Sequence, residues 1–244
     1  MMKSKTETIV VFSGAGLSAE SGVPTFRDSD GLWEHHRIED VASPEGWMRN
    51  KALVLDFYAG RYEKERQCQP NAAHRAIGEL YTRYTVVNIT QNIDTLLERG
   101  GSTNVWHLHG RVDYRKCERH YSAGQWGAEF VCDYRTKMLA PIRLGDLCPK
   151  CGSQLRPDVV WFGEPVDMHE EELQELVRTA KIFIGIGTSA LVYPAAGLLR
   201  MFTHTPERYF IDPHPNHEHL AGYTVLEGSA CEHMPKLAAQ LLAH

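Results

Sequence analysis

Residues 9–22 read Ile-Val-Val-Phe-Ser-Gly-Ala-Gly-Leu-Ser-Ala-Glu-Ser-Gly, an apolar run that leads directly into a glycine-rich turn. The run from Ile9 to Phe12 is apolar and largely β-branched, which predicts a strand buried in a parallel sheet. A glycine turn at 14–19 follows directly, and residues 18–21 are predicted to begin a helix. A dinucleotide site requires this local structure, because the turn brings a pyrophosphate close to the N–H groups of a helix N-terminus. Such turns also serve as plain strand–helix connections.

Length and composition limit the class of protein. The 244 residues are 43% hydrophobic, which suffices for one large core with a small accessory module. The formal net charge of −5 argues against nucleic acid or an anionic membrane as the main partner. Residues 1–5 lack the apolar run of a signal peptide, and no apolar run reaches membrane-spanning length. We therefore expect a cytoplasmic protein, and the sequence does not indicate its oligomeric state.

Beyond the first strand, short apolar runs alternate with amphipathic segments. Strands are predicted at 85–89, 104–110, 182–186, 208–211 and 223–225, with the same pattern resuming at 159–164 after an interruption. Helices are predicted at 53–62, 72–81, 168–179, 194–201 and 234–242. Strands that alternate with helices form a parallel sheet with right-handed crossovers. The prediction is an α/β fold with a Rossmann-like, doubly wound parallel sheet.

Two segments interrupt this pattern and are predicted to form a smaller domain. Residues 34–66 are interpreted as a helical insertion, and residues 112–158 as a zinc-binding insertion. The remaining ranges, 1–33, 67–111 and 159–244, are expected to form the Rossmann-like domain.

Four of the six cysteines lie close together, at Cys117, Cys132, Cys148 and Cys151. In a chain without an export signal, such a cluster favours a metal over disulfides. Cys148 and Cys151 form a Cys-x-x-Cys pair suited to one tetrahedral Zn²⁺. Either Cys132 or His120 completes the set with Cys117, and we favour four cysteines because Cys132 otherwise has no reason to lie in a polar insertion. Either set is closed and therefore structural, and the alternative is a metal-free group of thiols.

Polar residues end the predicted strands at three places. Gln91-Asn92-Ile93-Asp94 follows the strand at 85–89, His109 ends the strand at 104–110, and Gly187-Thr188-Ser189 follows the strand at 182–186. Open α/β sheets bind ligands at the carboxyl ends of their strands. The alternative for the Asn and Asp side chains is capping of a turn, which is common.

The run from Gly14 to Arg27 resembles the opening motif of the sirtuins, which are NAD-dependent protein-lysine deacylases. The motifs at 91–94, 109–110, 159–164 and 187–189 match the same family. The resemblance implies NAD as co-substrate, a structural zinc, and acylated-lysine proteins or peptides as partners. The residues it assigns to NAD are Gly14, Ala15, Gly16, Ser18, Phe26, Arg27, Trp33, Gln91, Asn92, Ile93, Asp94, Gly187, Thr188, Ser189, Asp212 and Ala230.

His109 matches the general base of that family, and an imidazole suits this role because its ordinary pKa is near 6.5. The resemblance implies that the acyl-lysine oxygen attacks C1′ of NAD and nicotinamide departs. His109 then takes a proton from a ribose hydroxyl, and water releases lysine and O-acyl-ADP-ribose. Asn92 and Asp94 would line the nicotinamide pocket, and Phe26 would exclude water from C1′.

Tyr58 and Arg61 lie three residues apart on a predicted helix and share one face. A guanidinium beside a phenol can bind a carboxylate, and the small Ala42 leaves room for it. This combination resembles the desuccinylase and demalonylase branch of the sirtuins, including bacterial forms that also remove acetyl groups. The alternative is a solvated arginine on an amphipathic helix. By the same resemblance, an extended substrate peptide pairs with the segment that contains Val160, Trp161, Phe162 and Gly163.

The sequence departs from the family pattern at two points. Leu97 stands where sirtuins often have histidine, and Asp212 stands where many have asparagine. Two other functions remain open: an NAD hydrolase or ADP-ribosyltransferase on the same site, and a non-catalytic NAD-sensing module. Tyr58 and Arg61 argue against the first, and His109 argues against the second.

Overall fold

The computed structural model describes residues 7–24, 32–33, 36–120, 131–188 and 197–243. The strands are β1 (Thr8–Ser13), β2 (Leu32–Trp33), β3 (His36–Arg37), β4 (Thr85–Thr90), β5 (Val105–His107), β6 (Gly110–Cys117), β7 (Arg135–Lys137), β8 (Leu155–Val159), β9 (Ile182–Ile186), β10 (Glu207–Asp212) and β11 (Thr224–Glu227). The helices are α1 (Ile38–Val41), α2 (Pro44–Arg49), α3 (Lys51–Gln67), α4 (Ala72–Leu80), α5 (Leu96–Arg99), α6 (Glu170–Thr179), α7 (Leu198–Met201) and α8 (Ala230–Ala243).

The main sheet has the strand order β11-β10-β9-β1-β4-β5, and its neighbouring strands are parallel. The central strand β1 is buried from Ile9 to Phe12, as its apolar run predicts. From β1 the chain reaches β4 and β5 on one side, and it later adds β9 to β11 on the other. The carboxyl ends of β1, β4 and β9 therefore meet where the strand order reverses, with Ser13 level with Thr90 and Ile186. The predicted doubly wound parallel sheet is confirmed.

Helices cover both faces of this sheet. Helices α4 and α8 pack on one face, around Ile77, Leu80 and Met234. Helices α6 and α7 pack on the other face, around Leu173, Leu199 and Phe183 of β9. Helix α4 begins where the sequence predicts, because the Asn71 side chain accepts hydrogen bonds from the N–H groups of residues 73 and 74. None of the helices in the described ranges is long and apolar enough to cross a bilayer.

A smaller module lies beside the sheet. It combines α1, α2 and α3 with an antiparallel sheet of order β7-β6-β8. These helices and the antiparallel sheet share one apolar core, in which Trp47 and Phe57 of the helices contact Val112, Leu155 and Trp161. The domain boundaries at 34–66 and 112–158 stay a prediction.

Three sequence predictions need correction or restriction. The segment 18–21 does not begin an α-helix; the structure has two single 3-10 turns, Ala15–Leu17 and Ala19–Ser21, and Gly22 ends the second with a φ of 87°. The segment 159–164 does not rejoin the main sheet, because Val159 ends β8 of the antiparallel sheet and an irregular loop follows. Of the helix predicted at 194–201, the structure shows α7, and residues 194–196 lie outside the described ranges.

Candidate active site

A cleft of about 870 Å³ lies between the carboxyl ends of the central strands and the small module. It is lined by three groups of predicted site residues: the glycine turn at 14–16, the loop at 91–94 with His109, and Tyr58 with Arg61 of α3. The reversal of strand order in the main sheet and the position of α3 thus bring together segments that are far apart in the sequence. Open α/β sheets form their ligand sites at this place.

The glycine turn fits tightly against the end of β9. The N–H of Gly14 donates to Ile186 O at 3.1 Å, and the N–H of Gly16 donates to Gly187 O at 2.8 Å. A Cβ on Gly16 would lie 2.8 Å from Gly187 Cα, and a Cβ on Gly187 would lie 2.3 Å from Leu17 N. Gly187 also has a φ of 60°. These glycines are therefore required for contact between two loops, in addition to any approach of a phosphate.

The loop at 91–94 is fixed by hydrogen bonds from its own side chains. Asn92 donates through Nδ2 to Gly14 O at 3.0 Å and to Ser18 Oγ at 3.2 Å. Gln91 donates through Nε2 to Thr188 Oγ1 at 2.8 Å. The loop therefore joins the ends of β1 and β9 to the end of β4. The same cleft is lined by residues from all three strand ends: Gly14, Ala15, Asn92, Ile93 and Thr188.

Asp94 is buried beside the first glycine turn. Its carboxylate accepts from Ser18 Oγ at 2.9 Å and from Leu96 N at 3.0 Å. Burial raises the pKa of Asp94, although both hydrogen bonds oppose the shift. A carboxyl group held in this way offers a hydrogen-bonding site to a carboxamide in the cleft.

His74 supports this network, although it was not among the predicted site residues. Its Nε2 lies 3.4 Å from Ser18 Oγ, and its Nδ1 accepts the N–H of Asn71 at 3.2 Å. Nδ1 is thus the acceptor and Nε2 the donor, which describes a neutral ring. Burial, with the nearby Arg75 and Arg99, lowers the pKa of His74 to about 4. The spacing of Asn71 and His74, three residues apart at a helix start, is a capping pattern that could have indicated this position.

His109 lies in the turn between β5 and β6, and its ring faces the cleft. Its Nδ1 lies 2.9 Å from Gln91 O, and no other described residue makes a hydrogen bond to its Nε2. Burial lowers the pKa of His109, and the contact with Gln91 opposes the shift only in part. A neutral ring with Nδ1–H on a carbonyl presents Nε2 as a proton acceptor. His109 can therefore act as a base towards a ligand in this cleft.

Tyr58 and Arg61 lie side by side in the wall that α3 contributes. Only 4% of Tyr58 and 9% of Arg61 is exposed, so the arginine is not the solvated residue of the alternative interpretation. The guanidinium lies 5.7 Å from the Phe57 ring centre. Burial raises the pKa of Tyr58 to about 12, and the charge of Arg61 opposes this rise. The phenol is therefore a hydrogen-bond donor at neutral pH.

The loop at 160–163 runs along the mouth of the cleft. Val160 N donates to His109 O at 2.9 Å, and Phe162 N donates to Ala42 O at 3.0 Å. Trp161 is buried against Trp47, whereas Phe162 is half exposed beside Gly163. The loop is thus connected to the base on one side and to the small Ala42 on the other.

A buried ion pair holds this loop in place. Arg156 of β8 makes two hydrogen bonds to the Glu164 carboxylate, at 2.6 and 2.8 Å. The same carboxylate accepts the N–H of Trp161 at 2.9 Å, and the Arg156 guanidinium stacks 3.3 Å from the Trp161 ring centre. A bidentate pair of this kind is strong, and it also holds the two side chains in one relative orientation.

The four clustered cysteines converge in the small module. Their sulfur atoms all lie within 4.8 Å of one another, with 3.4 Å between Cys117 and Cys151 and 3.7 Å between Cys132 and Cys148. A tetrahedral zinc with Zn–S bonds of about 2.3 Å has sulfur atoms about 3.8 Å apart. His120 is absent from this cluster, and its Nδ1 faces Cys132 O at 3.2 Å. The donor set therefore fits a structural zinc with four cysteine ligands.

Of the remaining predicted site residues, the structure describes some and not others. Asp212 ends β10 and Ala230 begins α8, and both line the far end of the cleft. Phe26, Arg27 and Ser189 lie outside the described residues, and for Trp33 only the backbone in β2 is described.

Comparisons with known proteins agree with this arrangement. A family model described as the Sir2 family matches residues 14–194. The chain is 43% identical over 243 residues to an NAD-dependent protein deacylase of Vibrio vulnificus, covering 97% of this chain and 94% of that protein. It is 45% identical over 218 residues to an NAD-dependent protein deacylase of Helicobacter pylori, covering 88% of each. A solved structure described as a Sir2 homolog–NAD complex has a TM-score of 0.83 at 36% identity, covering 98% of this chain and 90% of that chain.

These matches extend beyond the glycine turn, since they include the cysteine-bearing module and the last strands of the sheet. The resemblance inferred from short motifs is confirmed over nearly the whole chain, which belongs to the Sir2 family.

Proposed function

We propose that this enzyme is an NAD-dependent protein-lysine deacylase that prefers acyl groups ending in a carboxylate. Succinyl- and malonyl-lysine are its favoured substrates, and acetyl-lysine is also accepted. The products are nicotinamide, O-acyl-ADP-ribose and free lysine. One observation carries the proposal: the buried pair Tyr58 and Arg61 lines the same cleft as His109 and the loop at 91–94.

The cleft residues fit NAD as co-substrate, which supplies the C1′ carbon with nicotinamide as its leaving group. Asn92 and Asp94 hold the carboxamide of nicotinamide at the end of β4, where the Ser18 hydroxyl fixes the Asp94 carboxylate. Asp212 and Ala230 receive the adenosine end. The first glycine turn lies between these two groups and faces the pyrophosphate.

His109 performs the proton transfer. With Nδ1 held by Gln91 O, the ring directs Nε2 into the cleft and accepts a proton from a ribose hydroxyl. The lowered pKa of His109 keeps the ring neutral at pH 7, so the base is ready before substrate arrives. Phe26, which lies outside the described residues, would exclude water from C1′.

Arg61 and Tyr58 recognise the acyl end. A carboxylate that reaches this side of the cleft meets a guanidinium cation and a phenol, both of which are nearly excluded from water. Charge-assisted hydrogen bonds are stronger under these conditions than at a surface. An acetyl group cannot make these bonds, whereas its size is accommodated by the same pocket. Ala42 supports the preference because its small side chain leaves space near the acyl chain.

The substrate peptide binds along the loop at 160–163 by backbone pairing, so side-chain preference on the peptide is weak. The zinc has no part in the chemistry, because four cysteines leave no open coordination position.

The proposal is tested with one peptide sequence that carries succinyl-, malonyl- or acetyl-lysine. Hydrolysis and nicotinamide release are measured for each with and without NAD. The expected result is NAD-dependent release of both products, with a higher kcat/KM for the two acidic groups. Nicotinamide and ADP-ribose formation without acyl-peptide would instead indicate an NAD hydrolase. A higher kcat/KM for the acetyl peptide would refute the acyl preference.

A further inference from the structure

Helix α3 reaches two parts of the cleft with one buried stripe of side chains. Tyr58, Arg61 and Glu65 follow one another at spacings of three and four residues, so they share one face of the helix. All three line the cleft, and Glu65 lies about 10 Å along the helix axis from Tyr58. The acyl pocket is at one end of this stripe, and Glu65 is at the other.

Glu65 makes a direct contact with the residue that follows Asp94. Its Oε1 accepts the N–H of Thr95 at 3.0 Å and the Thr95 hydroxyl at 2.5 Å. The same oxygen lies 3.5 Å from Arg99 Nη1. Both Glu65 and Thr95 are buried, at 6% and 9% exposure. One carboxylate oxygen thus connects the small module to the loop that carries Asp94.

Glu65 is unfavourable for the helix by itself. It lies in the last turn of α3, where a negative charge faces the negative end of the helix dipole. Burial of a carboxylate adds a desolvation penalty. Two hydrogen bonds from Thr95 and the ion pair with Arg99 offset both penalties. The position of Glu65 is therefore explained by the contact between the modules and not by helix stability.

We propose that Glu65 is a positioning residue that fixes the acyl pocket relative to the nicotinamide pocket. A shift of α3 moves Tyr58 and Arg61, and through Glu65 it also moves Thr95 and the adjacent Asp94. Recognition of the acyl group and retention of nicotinamide are therefore coupled through one helix. This inference rests on the proposed placement of the acyl group beside Arg61 and of nicotinamide beside Asp94.

The test compares Glu65→Ala, Glu65→Gln and Thr95→Val with the wild-type enzyme. Acyl-peptide KM, kcat and the nicotinamide inhibition constant are measured at saturating NAD, together with the thermal midpoint. Glu65→Ala is expected to raise both the peptide KM and the nicotinamide constant by about tenfold, the size of a lost charge-assisted hydrogen bond. Glu65→Gln retains an acceptor for Thr95 and is expected to recover most of both effects. Glu63→Ala is the matched control, because Glu63 is exposed on the same helix.

The double variant Glu65→Ala/Thr95→Val distinguishes coupling from general damage. If the two residues act through one contact, the double variant shows no larger change than Glu65→Ala alone. Loss of thermal stability with unchanged KM and inhibition constant would overturn the inference, as would a change in only one of the two constants. If Glu65→Ala does not fold, Thr95→Val is judged by the same criteria, and Glu65→Gln is still expected to stay close to wild type in both constants. Failure of the proposed function would already be visible in the wild-type enzyme.

Discussion

His107 and His109 are fixed by the carbonyl oxygens of two consecutive residues. His107 Nδ1 lies 2.9 Å from Asn92 O, and His109 Nδ1 lies 2.9 Å from Gln91 O. The two rings differ at the other nitrogen. His107 Nε2 lies 2.9 Å from the Glu98 carboxylate, whereas His109 Nε2 makes no hydrogen bond to another residue that the structure describes. Of the two, only His109 has a nitrogen available to a substrate.

His109→Ala is therefore expected to reduce deacylation by about 10²-fold or more, the contribution of a positioned general base. NAD binding, measured by calorimetry, is expected to remain within a few fold of wild type. Because burial lowers the pKa of His109, the acid limb of kcat/KM is expected to fall below pH 6.5. The base is neutral above its pKa, so activity rises with pH through this limb. His107→Gln serves as comparison, and a His109→Ala variant whose kcat/KM stays close to wild type would contradict the assignment of His109 as the base.

Arg61→Met is expected to lower kcat/KM for a succinyl-peptide by about 10–100-fold and for the acetyl-peptide by only a few fold. The physical reason is the loss of charge-assisted hydrogen bonds, which an acetyl group does not make. Methionine retains an apolar stem of similar length, so packing against Phe57 is largely kept. Tyr58→Phe is the milder companion variant, because it removes one hydroxyl and no charge. Equal losses for the two acyl groups would contradict a pocket that recognises carboxylates.

Cys132→Ser is expected to abolish stoichiometric zinc, whereas His120→Ala is expected to retain it. The sulfur of Cys132 lies in the four-cysteine cluster and the His120 ring does not. Since the cluster lies in the core of the small module, loss of zinc is expected to lower the thermal midpoint by several degrees or more. Metal analysis gives the zinc content of each variant, and a melting curve gives its thermal midpoint. Full zinc occupancy in Cys132→Ser would favour the set of three cysteines and one histidine.

Gly187→Ala and Gly60→Ala are expected to change stability in opposite directions. At Gly187 an added Cβ would lie 2.3 Å from Leu17 N, and the φ of 60° disfavours any side chain. We expect a loss of about 2 kcal/mol or more in the free energy of unfolding, with weaker NAD binding. Gly60 lies inside α3, where an added Cβ would meet no atom of the described residues within 4 Å apart from the backbone of its own helix. Alanine there is expected to stabilise by up to about 1 kcal/mol, and urea unfolding of both variants checks the difference.

The centre of the main sheet was predictable because β1, β4 and β9 are buried over almost their whole length. Ile9 to Phe12 and Ile182 to Ile186 read as continuous apolar runs, and local sequence is sufficient for such strands. The end of β4 followed from such a run, so the loop at 91–94 was found with it. His109 was expected at the end of a strand at 104–110, but β5 ends at His107 and His109 lies in the turn before β6. Turn geometry was harder: the prediction at 18–21 was wrong because the turns form around contacts of Gly14 and Gly16 with a distant loop.

The antiparallel sheet of the small module was not predictable in the same way. Strand β6 reads Gly-Arg-Val-Asp-Tyr-Arg-Lys-Cys, and its charged residues hide the alternation that indicates a strand. One of them depends on a distant partner: Lys116 is 1% exposed and pairs with Asp158 of β8. The contact of Glu65 with Thr95 was equally invisible, because it depends on how α3 lies against the main sheet. Tertiary contacts of this kind have no local sequence signal.

His74 allows a prediction about stability and pH. Its pKa is lowered from 6.5 to about 4 in the folded protein, so between these values the unfolded chain binds a proton that the folded protein does not. Stability contributed by this group is therefore lost as pH falls. Between about pH 7 and pH 5, the loss amounts to about 2 kcal/mol in the free energy of unfolding.

His74→Gln isolates this contribution, because glutamine at the same helical position can still accept the N–H of Asn71. Urea unfolding of wild type and variant across that pH range is expected to give a smaller pH dependence for the variant, by about 2 kcal/mol. The exposed His204 provides the control for removal of a histidine as such, through the variant His204→Gln. Parallel curves for wild type and His74→Gln would mean that the His74 ring accepts a proton inside the folded protein, which is incompatible with Nδ1 as the acceptor in the helix cap.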